Sequence, residues 1–182
     1  PATVVAARPS FSGDGFTTST LFSRELGRDK QFSILLPAGY KHSGKRYPVL
    51  YMHDGQNLFH PNAIANTEWR VDETLDSLKG KPSASCIIVA IHNDEHRMRD
   101  YSPYLFDRID SANGRNYVSF IVNTLKPYID KQYLTHRDAA HTSIAGSSLG
   151  GLISYYAILH HPEIFGNAGI FSPSFWINML EL

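Results

Sequence analysis

The chain has 182 residues, a length that suits one domain with a substantial hydrophobic core. Its 17 lysines and arginines balance its 17 aspartates and glutamates without a clustered basic stripe, which argues against a nucleic-acid partner. No apolar run reaches the roughly 18 residues that a membrane-spanning helix needs, and the single cysteine, Cys86, cannot form an intramolecular disulfide.

The chain order of apolar and polar segments predicts one α/β domain over residues 1–182. Residues 1–15, rich in proline, serine and glycine, are expected to form a loose lead-in. From residue 47 onward, strands alternate with helices, which indicates a mostly parallel sheet with helices on both faces. The predicted elements are an antiparallel hairpin of strands 20–26 and 31–36, strand 47–53, helix 67–78, strand 85–91, helix 116–129 bent by Pro127, strand 141–145, helix 151–160 and strand 167–171.

The two ends of the chain give further expectations. The chain begins at Pro1 and not at methionine, so we expect a segment upstream of it, and this start favours an exported protein over a cytoplasmic one. At the other end, we expect the fold to continue beyond residue 182. The strand 167–171 would then be a sheet edge in this chain, through which two copies could pair.

The most informative motif is Gly146-Ser147-Ser148-Leu149-Gly150, which has the Gly-x-Ser-x-Gly form of a nucleophile elbow. A strand-like segment precedes the motif and a helical segment follows it, as an elbow requires. The glycines are needed because a Cβ there would collide with the neighbouring strand or helix. We therefore predict that Ser148 is a nucleophile at a helix N-terminus, where the helix dipole favours a developing oxyanion. The alternative is a glycine-rich turn in which Ser148 is only the helix N-cap.

Four segments together resemble the putative esterase family, the esterase-D-like branch of the α/β-hydrolases. They are YPVLYMHDGQNLF at 47–59, segment 93–103 with RDYSP, AGSSLGGL at 145–152, and FGNAGIFSPSFW at 165–176. The resemblance implies an α/β-hydrolase fold with Ser148 as nucleophile and no cofactor or metal. It also implies that the oxyanion hole consists of the backbone N–H groups of Leu149 and Gln56. The resemblance further implies a set of substrate-pocket residues, for each of which a packing role is the alternative. They are Asp54, Gly55, Trp69, Asn93, Arg99, Tyr101 and Trp176.

The chain departs from this pattern after the nucleophile, where the superfamily places an acid and then a histidine. His160 and His161 follow Ser148 by about twelve helical residues, or roughly 18 Å, which is beyond hydrogen-bond reach. We therefore expect the acid and the histidine beyond residue 182. His53 and His92, at the ends of two predicted strands, are the alternative bases.

The sequence leaves three functions open. The first is hydrolysis of a small-molecule or carbohydrate-linked carboxylic ester through an acyl-enzyme on Ser148. The second is acyl transfer by the same nucleophile, and the third is a binding or scaffold domain that lacks the histidine and the acid. Metal ligation by His92 and His96, with Asp94 between them, competes with a solvated loop, and we expect the loop.

Overall fold

The computed structural model describes residues 10–11, 16–60, 68–78, 80–81, 85–106 and 108–177. Most of the predicted lead-in over 1–15 and all of 178–182 lie outside the described residues. The strands are β1 (Ser10–Phe11), β2 (Phe16–Ser23), β3 (Arg28–Leu35), β4 (Val49–Met52), β5 (Ile87–Ile91), β6 (Thr142–Ser147) and β7 (Asn167–Phe171). The α-helices are α1 (Tyr40–Ser43), α2 (Val71–Ser77), α3 (Arg97–Asp100), α4 (Gly114–Phe120), α5 (Lys126–Gln132) and α6 (Leu149–His160).

All seven described strands form one mixed sheet in the order β1-β2-β3-β5-β4-β6-β7. β5, β4, β6 and β7 are parallel, whereas β1, β2 and β3 run antiparallel to their neighbours. The predicted α/β class with an N-terminal antiparallel hairpin is therefore confirmed. The carboxyl ends of β4, β5, β6 and β7 meet at one edge, where ligands of such sheets bind.

The hairpin turn lies three residues earlier than the sequence pattern predicted. β2 ends at Ser23 and β3 begins at Arg28, so that Gly27 closes the turn instead of opening it. Gly27 has a φ of 67°, a left-handed conformation that glycine adopts without steric cost. The Ser23 hydroxyl accepts a hydrogen bond from the Leu26 N–H at 3.1 Å and stabilises the same turn.

The two faces of the sheet carry separate hydrophobic cores, because alternate residues of each strand point to opposite faces. On one face, Tyr51 and Val89 belong to the cluster that α4 and α6 cover. On the other face, Met52 and Ala90 pack with Leu58 and with partly buried residues of α2. Every residue of β5 is buried, as expected of a strand that helices cover on both faces.

The helix predicted over 116–129 is longer than predicted and contains a π-helical turn. α4 begins at Gly114, a π segment spans Ile121–Leu125, and α5 ends at Gln132. Pro127 has no N–H and its ring would meet the carbonyl of residue 123 in a regular helix. The wider π turn just before it removes that conflict. Within the described part of the chain, no helix is both long and apolar enough to span a membrane.

A cluster of buried charges fastens the hairpin to the segment that follows β5. Lys30 of β3 is only 2% exposed, and its Nζ lies 2.9 Å from Asp94 Oδ2 and 3.4 Å from Asp100 Oδ2. Arg28 also pairs with Asp100, whose side chain is 1% exposed. Since a buried charge is tolerated only when it is paired, the four charged groups depend on one another.

We predict that Asp100→Ala lowers the free energy of unfolding by about 3 kcal/mol, because it leaves the Lys30 and Arg28 charges short of a buried partner. The measurement is urea unfolding of both proteins at neutral pH. The control is Asp110→Ala, since Asp110 is 76% exposed in its pair with Arg99 and should cost about 1 kcal/mol or less. Equal losses in the two variants would contradict a structural role for the buried cluster.

Candidate active site

Ser148 occupies the sharp turn between β6 and α6 with a backbone that side-chain-bearing residues rarely adopt. Its φ is 58° and its ψ is −120°. A Cβ on Gly146 would lie 2.6 Å from the carbonyl carbon of Gly150, so only glycine fits at this point of the elbow. The Ser148 residue is exposed, whereas Leu149 and Gly150 after it are buried. The motif therefore presents one hydroxyl at the carboxyl edge of the sheet.

The segment after β7 surrounds this turn with hydrogen bonds. The Ser148 N–H donates to the Phe171 carbonyl at 3.0 Å, and the Ser174 N–H donates to the Ser148 carbonyl at 3.1 Å. The Ser148 and Ser174 hydroxyls are 3.0 Å apart. The sequence predicts that residues 172–174 and Ser148 converge at the carboxyl edge of the parallel sheet, and the structure brings the Ser174 hydroxyl into contact with Ser148.

The first predicted oxyanion donor lies at the start of α6. Leu149 is the first residue of this 12-residue helix and Ser148 is its N-cap. The N–H of a first helical residue has no acceptor within the helix and points out of its positive end. The Leu149 N–H is therefore available to an anion beside Ser148.

The second predicted donor lies in a short 3-10 turn, Gly55–Asn57, that follows β4. The turn closes with a hydrogen bond from the Asn57 N–H to the Asp54 carbonyl, so the Gln56 N–H has no acceptor within the turn. Gly55 is required because a Cβ there would lie 2.5 Å from the carbonyl carbon of Ala90 in β5. This close approach keeps the turn against the sheet edge.

A buried carboxylate holds this turn in place. Asp54 has a φ of 56° and is 9% exposed. Its two oxygens accept hydrogen bonds from Arg97 Nε at 2.7 Å and from an Arg97 terminal nitrogen at 2.8 Å. Asn93 Nδ2 donates to the same carboxylate. Burial alone would raise the pKa of Asp54, but the bonds from Arg97 and Asn93 bring that pKa below its ordinary value.

Arg97 makes this pair, whereas the sequence prediction names only its neighbour Arg99, as a residue of the substrate pocket. Arg99 is exposed and pairs with Asp110 at 2.7 Å. The two arginines are two positions apart in α3, so their side chains leave the helix in different directions. Nothing in their spacing indicated which of them would meet Asp54.

The loops after β4 and β5 are joined by a reciprocal contact of two amides. Gln56 Nε2 donates to Asn93 Oδ1, and the Asn93 N–H donates to Gln56 Oε1 at 3.1 Å. The Asp54 turn also packs on α6, since a Cβ on Gly150 would lie 3.5 Å from Asp54 Oδ2. The two segments that carry the predicted oxyanion donors are thus in contact.

Tyr101 lies beneath the site and not on its surface. It is 1% exposed, and its hydroxyl accepts the Asp54 N–H at 3.1 Å. Tyr117, the neighbouring buried ring, contacts His53 Nδ1 at 2.9 Å. The Tyr101 side chain therefore supports the Asp54 turn from below.

The two candidate bases at strand ends, the buried His53 and the half-buried His92, form hydrogen bonds away from Ser148. Burial lowers the pKa of His53 to about 4, and its Nε2 is enclosed without a partner among the described residues. Burial also lowers the pKa of His92 to about 4, and its Nε2 lies 2.9 Å from the Ser33 hydroxyl. Within the described ranges, no histidine is hydrogen-bonded to Ser148.

Two of the residues predicted for the substrate pocket are exposed tryptophans. Trp69, 36% exposed, packs edge-to-face on Phe171 with the ring centroids 5.2 Å apart, and Phe171 is itself 50% exposed. The Phe171 carbonyl accepts the Ser148 N–H, which links Phe171 to the turn that carries Ser148. Trp176 is 63% exposed, and the Arg108 guanidinium lies 5.8 Å from its ring centroid.

Two groups of potential metal ligands exist in the described residues, and neither includes Ser148. One is Asp94, Glu95 and His96, but Asp94 is already paired with Lys30. His92, the other histidine of the predicted spacing, bonds Ser33 instead. The second group is His136, Asp138 and His141, which precedes β6, whereas Ser148 follows it.

Comparison with known proteins gives one family. The family model described as "Putative esterase" matches residues 23–179. The uncharacterized protein YbbA of Bacillus subtilis is 31% identical over 160 residues, which are 85% of this chain and 60% of that protein. The endo-1,4-beta-xylanase/feruloyl esterase of Xylanibacter ruminicola is 28% identical over 165 residues, which are 84% of this chain and 21% of that protein.

The solved structures agree with the sequence comparison. An IroE-like serine hydrolase from Shewanella oneidensis has a TM-score of 0.76 and 27% identity, with 91% of this chain and 52% of that chain covered. The enterobactin esterase FES of Shigella flexneri has a TM-score of 0.69 at 21% identity and shares the fold. The chain spans less than two thirds of the length of each of these relatives.

We predict that Asp54→Asn lowers the free energy of unfolding at neutral pH by about 3 kcal/mol, since Arg97 loses its buried counter-charge. The folded-state pKa of Asp54 is below the ordinary 3.8. The stabilisation is therefore complete above the unfolded-state value and is lost as the pH falls through the folded-state pKa.

The measurement is urea unfolding of wild type and Asp54→Asn from about pH 3 to pH 8. The difference in the free energy of unfolding between the two proteins should be constant above about pH 5 and should become smaller below about pH 4. Asp76→Asn is the control, because Asp76 is an exposed residue of α2 and should change stability little. If the difference in the free energy of unfolding became larger in acid, Asp54 would not be the ionised partner of Arg97.

Proposed function

Since the chain belongs to the putative esterase family, we propose that the protein hydrolyses carboxylic esters through an acyl-enzyme on Ser148. The observation that carries the proposal is the exposed Ser148 hydroxyl on a strained elbow between β6 and α6. The IroE-like serine hydrolase, which is similar in sequence and fold, supports a serine nucleophile in this position.

In the proposed reaction, Ser148 Oγ forms a bond to the ester carbonyl carbon, and the carbonyl π electrons move to its oxygen. The Ser148 proton passes to a general base, which then protonates the departing alcohol, and water hydrolyses the acyl-enzyme. The N–H groups of Leu149 and Gln56 bind the oxyanion, each contributing a factor of about 10²–10³ in rate. We assign the base and its acid partner to a part of the complete protein outside the described residues.

The substrate that we propose is a small-molecule or carbohydrate-linked ester. The exposed Trp69 and Phe171 rings pack on each other, and the Phe171 carbonyl accepts the Ser148 N–H, so we assign one side of such an ester to this apolar surface. The feruloyl esterase relative from Xylanibacter ruminicola supports this choice. We retain the substrate-contact roles predicted for Asn93, Arg99 and Trp176 as part of the same proposal.

We predict that a fluorophosphonate probe labels the complete protein and that Ser148→Ala abolishes the labelling, because the probe reacts with an activated serine. The same variant should lose hydrolysis of p-nitrophenyl, feruloyl and acetyl-sugar esters. Unchanged labelling in Ser148→Ala would refute Ser148 as the nucleophile. A labelled enzyme that forms new esters with added alcohols in preference to releasing acid would indicate acyl transfer, and a protein without labelling would indicate a binding domain.

A second prediction separates the Gln56 backbone from its side chain. Gln56→Pro should lower kcat/KM at least about 10²-fold, because proline has no N–H to donate. Gln56→Ala is the matched control: it keeps the N–H and loses only the amide contacts with Asn93, so its loss should be smaller. Equal losses in the two folded variants, judged by thermal unfolding, would assign the effect to the side chain.

A further inference from the structure

We propose that Ser174 is a positioning residue for the nucleophile, and that its hydroxyl donates a hydrogen bond to Ser148 Oγ during catalysis. The inference rests on the proposed function, since it assumes that Ser148 attacks an ester. It adds a residue that lies 26 positions further along the chain. Ser174 belongs to neither the elbow motif nor the predicted oxyanion hole.

The contact between the two serines is built into the fold. Ser174 is 4% exposed, and its Oγ lies 3.0 Å from Ser148 Oγ. The backbone of the same residue donates its N–H to the Ser148 carbonyl at 3.1 Å. Within the described ranges, Ser148 Oγ is the hydrogen-bond partner of the Ser174 hydroxyl. A buried hydroxyl needs such a partner, so the contact also fixes the orientation of the Ser174 side chain.

The strain at Ser148 explains why the site needs this segment. A side-chain-bearing residue in such a backbone region costs about 1–3 kcal/mol and persists only where its surroundings enforce it. The segment from Phe171 to Ser174 contacts Ser148 at its N–H, its carbonyl and its hydroxyl. Ser172, within this segment, also has a positive φ, of 41°. Two adjoining strained turns therefore hold each other in place.

The proton inventory sets the direction of the bond. A serine hydroxyl has one proton and two lone pairs. Ser148 must give its proton to the general base, so its oxygen is free to accept the proton of Ser174 in a hydrogen bond. As Oγ bonds to the carbonyl carbon, its proton moves to the base, and the Ser174 proton stays on Ser174. The bond strengthens whenever Oγ carries negative charge, before attack and again when it leaves the acyl carbon.

The test is the kinetics of fluorophosphonate labelling of the complete protein, with the maximal rate constant and the half-saturating concentration measured separately from about pH 6 to pH 9. We expect Ser174→Ala to lower the maximal rate constant about tenfold, with the half-saturating concentration changed less than twofold. The loss should be the same across this pH range, because the apparent pKa of the pH–rate profile belongs to the general base and not to Ser148. The thiol of Ser174→Cys is a weak donor, so the maximal rate constant of this variant should lie between those of wild type and Ser174→Ala.

Ser154→Ala is the matched control. Ser154 is fully buried in α6, and its hydroxyl bonds the Gly150 carbonyl at 2.7 Å without contacting Ser148. The maximal rate constant for labelling of Ser154→Ala should lie within twofold of that of wild type. Thermal unfolding establishes that each variant is folded, and Ser174→Cys replaces Ser174→Ala if the alanine variant is not.

The outcomes separate the inference from the proposed function. A wild type that is not labelled at Ser148 refutes the proposed function itself. Labelling of wild type and Ser174→Ala at the same maximal rate overturns the role of Ser174 alone. A loss confined to the half-saturating concentration, or an equal loss in Ser154→Ala, also overturns it, because either result describes a general change of packing.

Discussion

The ion pair between Asp54 and Arg97 is the interaction on which the rest of the site depends. It joins the turn after β4 to the helix after β5, and the same carboxylate packs on the first turn of α6, the helix that follows Ser148. Three separate chain segments are thereby fixed at one edge of the sheet. Because the pair is largely buried, its bidentate geometry tolerates little displacement of either partner. A catalytic constellation needs this rigidity, since its groups must be placed within a fraction of an ångström.

A second buried cluster of charges fixes the N-terminal hairpin to α3. Lys30 and Arg28 of β3 meet Asp100 at the end of α3, the short helix that also carries Arg97. α3 is therefore fastened on two sides by charges of both signs. The position of Asp54 consequently depends, through Arg97, on a hairpin that is remote from it in the chain.

Strained backbone is concentrated where these supports converge. Among the described residues other than glycine, Asp54, Ser148 and Ser172 have positive φ at the carboxyl edge of the sheet, and Arg70 precedes α2. Such residues break the local conformational preferences that the rest of the sequence follows. Distant parts of the chain hold two of these residues by hydrogen bonds. The Asp54 N–H donates to the Tyr101 hydroxyl, and the Ser148 N–H donates to the Phe171 carbonyl. At the site, the local backbone preference of these residues is therefore overcome by tertiary hydrogen bonds.

The sequence by itself determined the order of the longer strands and helices, the parallel sheet and the strand–turn–helix around Ser148, because these follow from apolar periodicity and from glycines that act on their immediate neighbours. It misplaced the hairpin turn and the ends of the long helix, where Gly27 and Pro127 act through backbone geometry that composition alone does not reveal. Only the tertiary structure decided that Arg97, and not Arg99, meets Asp54, and that Ser174 meets Ser148. These pairs are 43 and 26 residues apart. Their contacts depend on which side of a short helix or loop faces the sheet edge, a choice that the packing of the whole domain makes.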